Sequence, residues 1–347
     1  MNALTKTLAL TLASWGMMAG NASALITIDT VPVGDINNPP DWGPGYGSVG
    51  YSYAIGKYEV TLNQYCSFLN AVGATDTYGL YNTYLGLVRQ VDGIARQGAP
   101  GSYRYSVMGS GNRPVTYVSW FGAARFANWL QNGQPTGLQG PGTTETGAYT
   151  LNGATSGVDF TRNAGVQYVL PSEDEWYKAA YYDPSGSSGN GGYWLYPTRS
   201  NTQPNSRNGS TSDPNSANYY SDDGIANGHD GGYAVNNSTS LPSGNALTDV
   251  GAFSLAHSFY GTFDQAGNAY EWTDGVADGG RVVRGGSWNT QDGGYAGLTS
   301  STDPTTDGWD NGFRVAIIPE PSVGAMMVTG IALLAWKRKH TGQAIVP

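Results

Sequence analysis

Three glycine-containing blocks lie near the end of the chain: YGTFDQAGNAYEWTDG at residues 260–275, RVVRGGSWNT at residues 281–290 and DNGFRVA at residues 310–316. Glycine lets neighbouring strands approach closely. Trp288 and Phe313 are large enough to fill a core between such strands. The blocks therefore predict a closely packed sheet region rather than a surface loop.

Two arginines stand inside these blocks, Arg284 before the glycine pair and Arg314 after Phe313. A buried guanidinium needs a carboxylate partner. We expect both arginines to pair with buried carboxylates such as Glu173 or Glu175, and therefore to support the architecture rather than to contact a ligand.

Three helices are predicted upstream. Thr61 and Gln64 form a capping-box pattern before an apolar periodicity that ends at Gly73. Residues 119–130 carry a second apolar face. Ser172 and Glu175 form another capping box, which starts a short helix through about Ala180.

Together with IGKYEVTLNQYCSFLNAVG (55–73), RPVTYVSWFGAARFANWL (113–130) and YVLPSEDEWYKAAYYDP (168–184), the three blocks resemble the formylglycine-generating enzyme (sulfatase-modifying factor) family. The resemblance implies an α+β fold, a variant of the C-type-lectin fold, in one mixed domain with much irregular backbone. We expect this domain at residues 51–318, after an extended lead at residues 25–50. The Gly-, Ser- and Asn-rich stretch 184–245 is kept inside it.

The same resemblance shows what the chain lacks. Family members with oxidase activity carry a cysteine pair where this chain has Thr290 and Tyr295, and usually another where Val315 stands. A thiolate pair can bind Cu(I), since soft ligands select that metal. The chain has one cysteine, Cys66, predicted to be a buried apolar side chain of the first helix. We expect no formylglycine chemistry and assign no catalytic residue.

Calcium is the cofactor that the resemblance implies. The side chains of Asp264 and Glu271 and the carbonyl groups of Gly267 and Ala269 match the family's ligand pattern, and Ca²⁺ prefers such oxygen ligands. The alternative is a turn followed by a strand, with Asn268 in the turn. A second calcium site would use three further residues: Asn218, the carbonyl of Tyr219, and Asp230.

Neither copper nor iron is expected. A non-haem iron centre needs two histidines and a carboxylate with open positions. The only histidines between the two ends of the chain are His229 and His257, and they do not show ligand spacing.

The N-terminus predicts export. One cation, Lys6, precedes an apolar run, and small residues lead to Ala24, as in a secretory signal peptide at residues 1–24 that signal peptidase removes. A permanent N-terminal span is the alternative, although the apolar run is shorter than the roughly 20 residues that a span needs.

The C-terminus resembles a PEP-CTERM sorting signal at residues 319–340, followed by a tail at 341–347. Pro319, Glu320 and Pro321 precede the uncharged segment 322–336 and three basic residues. Basic residues hold that end in the cytoplasm. The resemblance implies an exosortase-type membrane protease as partner and a final location at the cell surface or in the extracellular matrix. A lasting C-terminal membrane anchor is the alternative.

Charge excludes one class of partner. Removal of both ends takes four of the 17 basic residues and none of the 26 acidic ones, which leaves a net charge near −13. Nucleic acids require clustered Lys and Arg, so we expect no nucleic-acid partner.

Two functions remain open from the sequence. The first is a non-catalytic, calcium-braced module that binds exopolysaccharide, a surface glycan or a protein. The second is an oxidoreductase outside the cytoplasm with a metal centre that the sequence does not reveal.

Overall fold

A computed structural model describes residues 25–186, 191–206, 213–222 and 231–319. Three α-helices precede the Gly-, Ser- and Asn-rich stretch: α1 Leu62–Val72, α2 Trp120–Gln131 and α3 Glu173–Tyr181. A 3₁₀ turn spans Thr83–Gly86. Few helices beside many short strands confirm the α+β fold class.

All three helices begin where the sequence places a cap. The Thr61 side chain accepts from the Gln64 amide, and Ser172 accepts from the Glu175 amide; both are complete capping boxes. Ser119 accepts from the Gly122 amide at the start of α2. Because capping satisfies the free amides of the first turn, a few neighbouring residues are enough to set where each helix starts.

Two four-stranded sheets form the frame. The first has the order β1-β2-β14-β5, with β1 Thr30–Val33, β2 Tyr53–Gly56, β14 Ala316–Ile317 and β5 Tyr168–Val169. The second has the order β12-β11-β10-β13, with β12 Ser300–Thr302, β11 Gly280–Arg284, β10 Tyr270–Ala277 and β13 Asn311–Gly312. Every pair in them is antiparallel except β10 with β13.

Short two-stranded ribbons complete the structure. They pair β3 Ile94–Gln97 with β4 Arg104–Val107, β6 Tyr182–Asp183 with β7 Gly192–Tyr193, and β8 Tyr220–Ser221 with β9 Gly232–Tyr233. Of the strands in the last two ribbons, β7, β8 and β9 lie in the Gly-, Ser- and Asn-rich stretch, and β6 lies just before it. These strands are only two residues long, because the sequence there has no extended alternation of apolar and polar residues.

The main core is aromatic and joins α1, α2 and the end of the chain. Phe126 of α2 contacts Phe68 of α1 with ring centroids 5.3 Å apart, and it contacts Phe313 at the same distance. Trp272 is fully buried in the same cluster. Edge-to-face rings of this kind add to the stabilisation from burial, and they fix the GFR block against the helices.

The structure contains no helix long and apolar enough to cross a membrane within the described ranges. The predicted signal peptide, the segment 322–336 and the tail 341–347 lie outside those ranges, so the predictions for them stay predictions.

Candidate functional site

A cleft of about 170 Å³ opens beside the glycine pair of the second block. Its floor and walls come from the ends of β10 and β11 and from the loop that leads to β12. The lining residues that matter below are Tyr270, Arg284, Asp292, Tyr295, Leu298 and Thr299. Gly286 has a φ of 73°, and a Cβ there would come 2.2 Å from an oxygen of Asp292. Glycine at this position therefore lets the loop return close to the strand end.

The two positions of the missing cysteines have different roles in this loop. The Thr290 hydroxyl accepts from the Ser287 amide at 2.8 Å and so closes the turn after the glycine pair. Tyr295 lines the cleft and is 38% exposed. Thr290 thus supports the loop, while Tyr295 is available to a ligand.

Asp292 places a carboxylate in the cleft wall. Burial raises its pKa, while hydrogen bonds from the Gly294 amide and from Thr290 act in the opposite direction. Burial likewise raises the pKa of Asp310, to which the Ser287 hydroxyl donates at 2.8 Å. Of these two carboxylates only Asp292 lines the cleft. It gives the cleft wall a partly desolvated carboxylate, which suits hydroxyl or ammonium donors.

Apolar side chains surround the mouth of the cleft. The rings of Tyr196 and Tyr295 lie 5.8 Å apart. Leu298 is 51% exposed and Leu195 is 41% exposed. The Ala296 amide donates to the Leu195 carbonyl at 2.9 Å, so the two loops that carry these side chains are tied together. We call Leu195, Tyr196, Tyr295 and Leu298 the mouth patch.

No thiol reaches this cleft. Cys66 lies on α1 in the main core, and burial raises the pKa of its thiol to about 11. The Asn70 side chain lies 3.6 Å from its sulfur. A thiol that stays protonated is a poor nucleophile and a poor metal ligand.

His257 contacts the backbone and an aromatic ring. Its Nδ1 lies 2.8 Å from the Ser258 carbonyl oxygen, and its ring packs on Phe263. His229 lies outside the described residues. Across the ranges that the structure describes, no three His, Cys, Asp or Glu side chains are arranged to hold a metal ion.

The first predicted calcium set comes together only in part. Glu271 is fully buried, and both its oxygens accept from Arg314, at 2.5 and 2.6 Å. Trp176 donates to the same carboxylate at 2.7 Å. Asp264 accepts from the Gly251 amide at 2.6 Å. Because Glu271 is already neutralised by Arg314, the ligand set that the family resemblance implies fits this chain poorly at that residue.

Gly267 and Ala269, the other two members, lie on the turn before β10. Asn268 between them has a φ of 61°, and its side-chain oxygen accepts from Asn218 at 3.0 Å and from the Thr248 amide at 3.1 Å. The turn with Asn268, which the sequence offered as the alternative to a calcium site, is therefore present.

The second predicted calcium set is only partly within the described residues, since Asp230 lies outside them. The Asn218 side chain donates to the Ala246 carbonyl at 2.9 Å. The Tyr219 carbonyl accepts from the Ser206 hydroxyl. In the sorting signal, Pro319 is described, whereas Glu320 and Pro321 are not.

Sequence reasoning missed two carboxylates. Asp292 follows the glycine pair by six residues, and only the returning loop brings it into the cleft. Glu59 is 2% exposed, and neither of its oxygens has a hydrogen-bond partner among the described residues. A lone glutamate within a strand-to-helix connection gives no sequence signal of such burial.

Comparisons with known proteins agree with the resemblance. The family model for the sulfatase-modifying factor enzyme 1-like domain matches residues 44–318. A search of curated proteins returned no match.

Several solved structures resemble the chain at low sequence identity. The crystal structure of CarF is 21% identical, covers 85% of this chain and 99% of its own, and has a TM-score of 0.47. Treponema denticola variable protein 1 is 20% identical, with coverages of 86% and 97% and a TM-score of 0.49. PvdO from Pseudomonas aeruginosa is 19% identical, with coverages of 84% and 92% and a TM-score of 0.41.

Proposed function

Because the chain belongs to the sulfatase-modifying factor enzyme 1-like domain family, we propose that it keeps the family's fold as a non-catalytic binding module outside the cytoplasm. The observation that carries this proposal is the replacement of thiols by Thr290 and Tyr295. Thr290 closes a turn, and the chain's one cysteine is buried in the core. The family's oxidase chemistry needs thiolates, which this cleft does not supply.

The chemistry of the cleft favours a glycan as ligand. An exposed tyrosine ring offers a flat apolar face together with a polar hydroxyl, and the mouth patch extends that apolar surface with two leucines. Asp292 supplies a carboxylate that accepts hydrogen bonds from sugar hydroxyls. A surface protein with an exposed loop is the other ligand class that such a patch suits.

Binding is tested with the purified chain on an array of bacterial polysaccharides and on a matched panel of surface proteins. Tyr295→Ala is expected to weaken binding of the selected ligand at least about tenfold, the equivalent of one stacking contact. Tyr84→Ala is the matched control, because Tyr84 is 54% exposed and does not line the cleft. Equal binding by wild type and Tyr295→Ala would remove the cleft from the proposal.

Elemental analysis of the purified chain separates this function from the oxidoreductase alternative. The binding module requires no redox metal, and calcium is the metal that the family resemblance implies for it. Copper or iron near one per chain would support the enzyme instead. His229 and His257 would then be the first residues to replace.

Export and processing are part of the same proposal. We expect signal peptidase to cut after Ala24 and an exosortase-type protease to cut near Pro321. Mass spectrometry of the protein from the source cells reads both termini directly. A first residue of Leu25 and loss of the segment 322–347 would support display at the cell surface, whereas an intact chain in the cytoplasmic fraction would contradict it.

A further inference from the structure

Trp42 is the most exposed large apolar side chain in the part of the chain that the structure describes, with 99% of its surface in solvent. A tryptophan buries about 150–250 Å² when it is covered, so a ring left in water forgoes a large hydrophobic gain. Exposure of one apolar side chain is common on protein surfaces. What distinguishes Trp42 is the loop that carries it and the place of that loop beside the cleft.

Hydrogen bonds close this loop, residues 38–47, on itself. The Asn38 side-chain amide donates to the Gly47 carbonyl at 2.7 Å and so ties the two ends together. Near the tip, the Asp41 amide donates to the Tyr46 carbonyl at 2.8 Å. Three prolines within the loop fix further φ angles. We call residues 38–47 the tryptophan loop, and its order means that binding there would cost little conformational entropy.

Contacts with α3 and β7 anchor the tryptophan loop to the domain. The Tyr177 hydroxyl donates to an Asp41 carboxylate oxygen at 2.7 Å, and the Gly47 amide donates to Asp174 at 2.8 Å. Gly47 has a φ of 93°, and a Cβ there would come 2.7 Å from the ring of Tyr193. Glycine at this position therefore permits the close contact between the loop and β7.

Two contacts bring the tryptophan loop next to the cleft. The Tyr193 hydroxyl donates to the Pro39 carbonyl at 2.8 Å, and Tyr193 precedes Leu195 of the mouth patch by two residues. The Tyr46 ring lies 4.7 Å from the guanidinium carbon of Arg284, and Arg284 lines the cleft. The tryptophan loop and the mouth patch are therefore neighbours.

Charge argues against a lipid surface as the partner of Trp42. Tryptophan also suits the headgroup region of a membrane, but anionic lipids attract basic segments. The tryptophan loop contains no Lys or Arg, and residues 25–321 have a net charge near −13. A saccharide needs no basic partner, because the flat apolar face of an indole suits the apolar face of a sugar ring.

We propose that Trp42 is a second stacking site for the glycan that binds at Tyr295, so that the ligand is an extended polysaccharide chain rather than a single terminal sugar. This inference rests on the proposed function and names the substrate class of the same cleft. Asp292 and Tyr295 hold one sugar residue in the cleft. The chain continues over the mouth patch, and Trp42 stacks on a sugar farther along. Because the tryptophan loop is already ordered, the second contact adds affinity at a small ordering cost.

The test measures affinity as a function of ligand length. The probes are size-fractionated fragments, made by partial acid hydrolysis, of the bacterial polysaccharides on the array. Trp42→Ala is expected to weaken binding of the longest fragments about tenfold, the equivalent of one stacking contact, and to leave binding of the shortest bound fragment unchanged. Tyr84→Ala is the matched control and should bind every fragment as wild type does, since Tyr84 is 54% exposed and its ring packs on Tyr117.

A chemical footprint locates the contact without a variant. An indole-specific oxidant such as N-bromosuccinimide reaches Trp42 because its ring is exposed, whereas Trp176 and Trp272 are buried. Long fragments at saturation are expected to slow oxidation of Trp42, and the shortest bound fragment is expected to leave the rate unchanged. Mass spectrometry of the peptides provides the rate. Phosphatidylglycerol vesicles are the second probe and are expected to give no protection.

Three results would overturn the proposal. The first is Trp42→Ala that binds the longest fragments as tightly as wild type. The second is an equal loss for short and long fragments, because Trp42 would then support the cleft rather than stack on the ligand. The third is protection of Trp42 by the vesicles, which would assign it to a lipid surface.

The two proposals fail in different ways. If Tyr295→Ala weakens binding of all fragments and Trp42→Ala weakens none, the cleft binds a glycan and only the extended-chain inference is wrong. If no polysaccharide binds the wild type, or if Tyr295→Ala binds as tightly as wild type, the proposed function is wrong and this inference fails with it.

Discussion

The buried core around Arg314 and the cleft around Tyr295 come from the same last third of the chain. They differ in burial: the core charges are buried and paired, whereas the cleft side chains are partly exposed. In the core, Arg314 pairs with Glu271 and both side chains are fully buried. At the cleft, Tyr295 and Leu298 are left in solvent. The glycine, tryptophan and arginine positions of the family blocks thus pack in the core, and a few loop positions between them line the cleft that we propose binds a ligand.

Arg284 joins the two regions. It is fully buried, pairs with Glu173, and lies 4.7 Å from the ring of Tyr46. It also donates to the Leu298 carbonyl at 2.9 Å. A core ion pair therefore fixes the wall of the cleft, so the loop can change its exposed side chains without loss of its backbone position.

Removal of a core charge is expected to have the largest effect on stability. Arg314→Leu leaves Glu271 buried without its partner, and we expect a loss of about 3–5 kcal/mol in the free energy of unfolding, measured by urea denaturation. Arg104→Leu is the control, since Arg104 is exposed on β4, and its cost should stay within about 0.5 kcal/mol. Similar losses in both variants would show that Arg314 has no special role.

Two buried tryptophans differ in the hydrogen bonding of their indole N–H groups. The indole N–H of Trp272 donates to the Val118 carbonyl at 2.7 Å, whereas that of Trp288 has no partner among the described residues. Replacement by phenylalanine removes similar volume from both sites. We therefore expect Trp272→Phe to cost about 1–2 kcal/mol more than Trp288→Phe in the same denaturation experiment. The reverse order would indicate that Trp288 has a partner outside the described residues.

The smallest expected effect is at the cleft. Tyr295→Ala should change the free energy of unfolding by no more than about 0.5 kcal/mol, because the side chain is partly exposed and outside the main core. Thermal and urea unfolding of the variant used for the binding test provide the measurement. A loss above about 2 kcal/mol would mean that Tyr295 is an architectural residue, and the contrast between core and cleft would fail.

Some of the predicted pairing is correct and some differs in detail. Arg284 pairs with Glu173, as expected, but Arg314 pairs with Glu271, and Glu175 pairs instead with Arg162. The identity of each partner depends on segments far apart in the chain. A sequence shows that a buried arginine needs a carboxylate; it does not show which one the fold brings within reach.

The helix starts, the α+β class and the family could be predicted from the sequence, because caps and motif blocks act over a few residues. The sequence also showed that the oxidase thiols are missing. Contacts between distant segments bring Asp292 and Tyr295 into one cleft and pair Glu271 with Arg314. They also leave Glu59 without a hydrogen-bond partner among the described residues. These outcomes depend on contacts between distant segments, where burial changes the cost of a charge and short-range patterns give no information.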